Sequence, residues 1–163
     1  MKQFHERILN SKIGRIKLTC DEKNIIALDV VADDYKSIDP GLNCSVCQKA
    51  VDQLQEYFSG NRTCFDLPTQ IESSTMHIKV WNYLKTIPYG RTVSYSEVAA
   101  AIGCKSVRAV ATAIGKNPIP IIIPCHRVIH KDGTMGQFSL VGPEVKRFLL
   151  HLEQCELSNT EID

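Results

Sequence analysis

Three observations predict a small α/β part followed by a mainly helical part in this 163-residue chain. Residues 3–31 are rich in alternating Ile, Leu and Val, the pattern of half-buried strands. From Ser74 onward apolar residues recur at helical spacing in short stretches, two of them joined across a glycine. The formal charge divides along the same line. Residues 74–153 hold ten Lys/Arg against four Asp/Glu, a net +6, and the remainder carries −5, although the whole chain is only +1. A basic helical half beside an acidic strand-rich half points to a polyanionic partner for one face only.

Composition bounds the remaining classes. Hydrophobic residues make up 44% and charged residues 23%, so the chain can bury a core and is not a disordered tail. No apolar run approaches the ~20 residues that span a bilayer. The start, Met1 to Arg7, has no apolar stretch behind it that would make a signal peptide. Seven cysteines without framework spacing imply reduced thiols, hence a cytoplasmic protein, or a nuclear one in a eukaryote. Cys44-x-x-Cys47 stands at metal or redox spacing, but no second pair completes a zinc site. It reads as two thiols on a helix face, and no metal is expected.

In the N-terminal part, Ile13–Cys20 alternates and Asn24–Val31 is β-rich, with turn-like residues at Asn10-Ser11 and at Asp21 to Asn24. A three-stranded antiparallel meander follows. Residues 32–42 are a polar loop. Val46, Ala50, Val51, Leu54, Tyr57 and Phe58 predict a helix over Ser45–Phe58, ended by Ser59-Gly60-Asn61, and Thr63–Phe65 predicts a further short strand. No pair of residues here has the look of chemistry. Residues 66–75 are a polar linker with one proline, which divides the chain into a supporting domain, 1–72, and a working domain, 73–163.

In the second part, Ser74 or Thr75 caps a helix running to about Thr86, and Pro88-Tyr89-Gly90-Arg91 turns the chain. Ser94 or Ser96 caps the next helix, Gly103-Cys104-Lys105 breaks it, and Ser106 caps a third, Val107 to about Ile114. Two short helices joined at a glycine turn read as a helix-turn-helix, with Lys105, Arg108 and Lys116 on or beside the second helix. A pair of core helices has the same spacing. The basic residues favour the DNA-binding reading.

The stretch most suggestive of chemistry is Asn117-Pro118-Ile119-Pro120-Ile121-Ile122-Ile123-Pro124-Cys125-His126-Arg127-Val128. Three prolines remove three backbone donors and stiffen it, which suits a pocket wall better than a central strand. Composition alone reads Cys125 as a core cysteine. Imidazole and guanidinium neighbours instead suggest a thiol of lowered pKa. A last helix spans about Pro143–Gln154.

The Pro-Cys-His-Arg-Val core with its Asn-Pro-x-Pro lead-in resembles the active-site segment of the O6-alkylguanine-DNA alkyltransferases (methylated-DNA–protein-cysteine methyltransferases). The likeness covers residues 76–153 well and the N-terminal part more loosely. It implies a ribonuclease-H-like N-terminal domain and a winged helix-turn-helix C-terminal domain. It implies a monomer that binds double-stranded DNA, flips O6-alkylguanine (and more weakly O4-alkylthymine), and moves the alkyl group irreversibly to Cys125 with no cofactor. In that reading His126 is the general base and Glu153 orients it, with Glu144 the lesser alternative, while Arg127 braces the loop. Arg108 resembles the family's arginine finger, Tyr95 the tyrosine that crowds the phosphate 3′ of the target, and Asn117 the asparagine that braces the turn. The carbonyls of Cys125 and Val128 would accept from the guanine amino group, and the Ser139 N–H would reach O6. Ser94, Lys105, Ser106 and Lys116 would contact DNA.

The chain departs from the family at Phe138, where many members carry a tyrosine whose hydroxyl helps the leaving guanine, and in the following Leu140-Val141-Gly142-Pro143. Phe138 leaves room for a rival, a non-enzymatic sensor of alkyl lesions, although sensors of that kind lack the cysteine. A transcription regulator would need a dimer surface, and no heptad or apolar helix supplies one.

Overall fold

A computed structural model describes residues 3–37, 40, 43–136, 138, 140 and 142–155. The chain divides after Ile71 into two compact units.

In the first unit β1 (His5–Ser11), β2 (Gly14–Cys20) and β3 (Ile25–Val31) form an antiparallel sheet in the order β1-β2-β3, the expected meander. Its register pairs Leu9 with Ile16 and Leu18 with Leu28, so the apolar alternation places those side chains on one buried face. The first turn falls at Lys12-Ile13, slightly later than Asn10-Ser11 suggested. There the Ser11 hydroxyl donates to the Gly14 carbonyl (2.7 Å) and accepts from the Ile13 N–H (3.2 Å). At the second turn Asp21 Oδ1 accepts from the N–H groups of Lys23 and Asn24, both at 2.7 Å.

Helix α1 (Ser45–Phe58) covers the sheet with Cys47, Ala50, Val51, Leu54, Tyr57 and Phe58, all buried. The strand expected at Thr63–Phe65 does not form. The buried Gln53 amide takes both backbone groups of Asp66 (2.9 and 3.1 Å), and the chain rejoins the sheet at Pro68 to Gln70, where Thr69 bridges Ile25. The start of the polar linker is therefore part of the first unit's hydrogen bonding.

The second unit is helical. α2 (Thr75–Leu84) is capped by Ser74 and tied to α4 (Val107–Gly115) by the Trp81 indole N–H, which donates to the Ala113 carbonyl at 2.9 Å. α3 (Tyr95–Ile102) starts in a capping box of Ser94 and Glu97 and ends at Gly103 in the left-handed conformation (φ 71°). α3 and α4 meet at 103°, within the range of a helix-turn-helix. Two short parallel strands, β4 (Val93–Ser94) and β5 (Val128–Ile129), pair Val93 with Val128. That pairing carries the segment around Cys125 to the start of α3. α5 (Pro143–Leu152) ends two residues short of the expected Gln154, because Gln154 turns left-handed (φ 59°) and leaves Glu153 at the helix terminus. No single helix among the described residues is long and apolar enough to cross a membrane.

Candidate active site

The loop between α4 and β5 is held by a side-chain amide rather than by a ladder. Its prolines withhold donors, so the buried Asn117 supplies what the backbone lacks. Its Nδ2 donates to the Ile123 carbonyl (2.8 Å) and its Oδ1 accepts from the Ile119 N–H (3.0 Å). Ile119, Ile121 and Ile123 are buried beneath it. Ile121 sits at φ 74°, a left-handed conformation that a β-branched residue rarely adopts, and its burial holds it there. The loop leads into a single 3₁₀ turn, Cys125–Arg127, in which all three side chains are buried.

Glu153 ties that turn to the end of α5. Its Oε2 lies 2.5 Å from His126 Nε2, and its Oε1 accepts from Arg127 Nε at 2.7 Å. Arg127 also donates through Nη1 to the Ile87 carbonyl (2.6 Å), and its guanidinium lies 5.8 Å from the Tyr89 ring centroid. Burial works to raise the Glu153 pKa, but the bonds and charges of His126 and Arg127 outweigh it and hold the carboxyl at about 2. Burial lowers the pKa of His126 despite Glu153, so the ring is neutral at physiological pH. With Nε2 donating to the carboxylate, Nδ1 is the basic nitrogen, and it is buried without a hydrogen-bond partner among the described residues.

Cys125 corrects the expectation of a lowered pKa. It is 2% exposed, and burial pushes its thiol up to about 11. The Asn117 amide and the Lys146 ammonium pull the other way without prevailing. The neighbouring guanidinium does not act on the thiol as the sequence suggested, because it is neutralised by Glu153, and the imidazole is uncharged. Cys125 lines a cavity of about 390 Å³ with Tyr95, Ile114, His130 and Phe138. Tyr95 is buried, and burial followed by the nearby Cys125 raises its hydroxyl to about 12. Glu144 is exposed in the first turn of α5, whereas Glu153 makes the bond to His126.

The remaining candidates fall in separate places. Lys105, Ser106, Arg108 and Lys116 are exposed on or beside α4, where Ser106 caps the helix through the Ala109 N–H (3.1 Å). Ser94 stands apart from them. It is buried, and its hydroxyl accepts from the Glu97 N–H, so its side chain serves the start of α3. The Val128 carbonyl accepts from Lys146 Nζ at 2.7 Å. Ser139 lies outside the described residues.

Two residues near the cavity went unread in the sequence. Lys146 is fully buried, and its ammonium bonds the Val128 and Met135 carbonyls (2.7 and 2.5 Å) and lies 5.8 Å from the Tyr95 ring centroid. The available signal was its place on the apolar face of α5, three and four residues before Leu149 and Leu150. His130 has its ring 5.1 Å from that of Tyr95, and only its nearness to Cys125 in sequence hinted at this. Among the described residues no group of three or more His, Cys, Asp or Glu could hold a metal ion.

A thiol-lined cavity backed by a histidine–carboxylate pair, on a helix-turn-helix unit that follows a small sheet unit, defines a class that known proteins share. The family model "6-O-methylguanine DNA methyltransferase, DNA binding domain" matches residues 75–155, and "6-O-methylguanine DNA methyltransferase, ribonuclease-like domain" matches residues 4–71. The methylated-DNA–protein-cysteine methyltransferase of Methanosarcina barkeri is 40% identical over 154 residues, 92% of this chain and 97% of its own. The constitutive enzyme of that name from Bacillus subtilis is 45% identical over 107 residues, 65% of each chain. The crystal structure of Mycobacterium tuberculosis O6-methylguanine methyltransferase superposes with a TM-score of 0.83 at 37% identity, covering 99% of this chain and 100% of that one. A crystal structure of M. tuberculosis OGT in complex with DNA gives 0.82 at 38% identity, covering 98% and 99%. The chain belongs to the methylated-DNA–protein-cysteine methyltransferase family.

Proposed function

We propose that the chain repairs O6-alkylguanine in duplex DNA by transferring the alkyl group to its own Cys125. The observation that carries this is the buried Cys125 on the cavity wall, followed directly by a neutral His126 whose far nitrogen is fixed by Glu153. A thiol held near pKa 11 is scarcely ionised at pH 7, so transfer needs a local base. His126 Nδ1 takes the proton, through water if no direct contact forms, and Glu153 stabilises the imidazolium. Lys146 favours the thiolate. The thiolate then attacks the alkyl carbon, the S–C bond forms, the C–O6 bond breaks, and the purine takes the electron pair. The thioether is not reversed, so each molecule reacts once.

The lesion must leave the stack to reach Cys125, at a cost of a few kcal/mol that is smallest for a damaged pair. In this reading Arg108 fills the space in the stack, Tyr95 crowds the phosphate, and Lys105, Ser106 and Lys116 hold the backbone; their exposure around α4 supports it for Arg108 and these three. The supporting domain is 1–72 and the working domain 73–163. The seven free cysteines suit a cytoplasmic protein.

Intact mass after incubation with an O6-methylguanine duplex is the test. Wild type gains one methyl group, about 14 Da, and Cys125→Ala gains nothing. No gain in wild type with the lesion duplex still bound would favour the rival reading, a damage sensor, which the hydroxyl-free Phe138 wall keeps open.

A further inference from the structure

A base that leaves as an anion needs a hydrogen-bond donor, and the Phe138 ring offers none. Among the described lining residues only Tyr95, Cys125 and His130 carry polar side chains; the others are Phe138 and small or apolar residues of α4. Cys125 is the attacking group, and that leaves the tyrosine hydroxyl and the imidazole. Both converge on one point. A Cβ at Gly136, which has φ 74°, would stand 2.8 Å from the Tyr95 hydroxyl and 3.0 Å from His130 Nε2. The glycine thus lets the backbone at position 136 pass close to both polar atoms.

His130 is carried by an ordered turn. Its N–H donates to the Thr134 carbonyl (2.8 Å), and its own carbonyl accepts from the Gly133 N–H (3.0 Å). Its ring lies against Tyr95 at 5.1 Å and 42° and also borders a second cavity of about 440 Å³, beside Ser96 and Lys131.

We propose that His130 is a further catalytic residue, whose imidazole N–H donates to the flipped purine as that base leaves. This rests on the alkyl-transfer reading above. As Cys125 Sγ bonds the alkyl carbon and the C–O6 bond breaks, the electron pair spreads over the purine oxygen and ring nitrogens. A donor there stabilises the developing charge. The thiol's proton goes to His126, and the departing guanine gains one proton from solvent, so the exchange balances. His130 supplies the polar contact that Phe138 lacks.

The test is single-turnover methyl transfer from an O6-methylguanine duplex under saturating protein, with duplex affinity measured at several salt concentrations, for wild type, His130→Ala and His130→Gln. The alanine variant is expected to lower the saturated rate about tenfold to a hundredfold. Its affinity stays within about threefold, its salt slope is unchanged, and glutamine, which keeps an N–H donor, restores most of the rate. An unchanged rate in His130→Ala overturns the proposal. So does equal slowness of both variants, and so does weaker binding with a salt slope reduced by about one, the mark of a phosphate contact. Urea midpoints of both variants exclude a folding defect at this exposed turn. Absence of methyl on Cys125 in wild type indicts the transfer reading itself rather than His130.

Discussion

Glu153 holds a neutral imidazole on one oxygen and a guanidinium on the other, both buried, so its charge matters more to this site than that of any surface acid. Glu153→Gln leaves Arg127 buried without its counter-charge and weakens the bond that orients His126. The expected outcome is a loss of about 3–5 kcal/mol in urea unfolding and a transfer rate lower by on the order of tenfold to a hundredfold. The pH dependence follows from the same pair. Glu153 is depressed to about 2, so its contribution is complete above the ordinary carboxylate pKa and is lost as pH falls toward 2. His126 is depressed by burial, so the unfolded chain binds a proton first and stability falls below about pH 6.5. The urea midpoint should therefore be flat near pH 7–8 and drop in both windows, with Glu153→Gln losing the lower one. Cys125 offers a separate check. With its thiol near 11, iodoacetamide labelling followed by peptide mass mapping should rise about tenfold per pH unit up to that value.

At the scale of elements, the α4–β5 loop depends on one amide. Asn117→Ala leaves the Ile123 carbonyl and the Ile119 N–H without their partner in a buried loop that already holds Ile121 left-handed. Each unsatisfied group costs about 1–3 kcal/mol, so urea unfolding should show a loss of about 2–5 kcal/mol, with a slower transfer as Cys125 loses its fixed place. Helix α4 behaves in the opposite way. Its basic side chains are exposed, so Arg108→Ala should change stability by less than about 0.5 kcal/mol while slowing transfer from a paired lesion at least tenfold. A stability change with normal transfer would show that Arg108 serves the fold.

Over the whole molecule the charge is divided, +6 on residues 74–153 and −5 elsewhere. In the proposed reading Lys105 and Lys116 each contact phosphate and release counterions, so the double alanine variant should reduce the salt slope of duplex binding by about two. Lys23→Ala and Lys36→Ala, exposed in the first unit, should leave that slope unchanged. Binding measured by anisotropy across a salt series separates the two outcomes.

The meander, α1, the capped helices and the Cys125–His126 pair were legible in the sequence because each rests on local periodicity, a cap, or adjacent residues. Glu153 as the partner of His126, 27 positions away, was reached by resemblance and not by spacing, because a helix end and a loop meet only through tertiary packing. Thr63–Phe65 had strand composition, yet the Gln53 amide captured Asp66 instead, a contact between distant residues that propensity does not see. The thiol's pKa went the other way for the same reason. Sequence set a cationic side chain beside Cys125, but folding buried the sulfur and turned the guanidinium to Glu153, and desolvation outweighed proximity. Sequence by itself determined which elements form and where the candidate acceptor thiol lies. Only the tertiary structure decided which charges face that residue, because burial and long-range pairing set the protonation state.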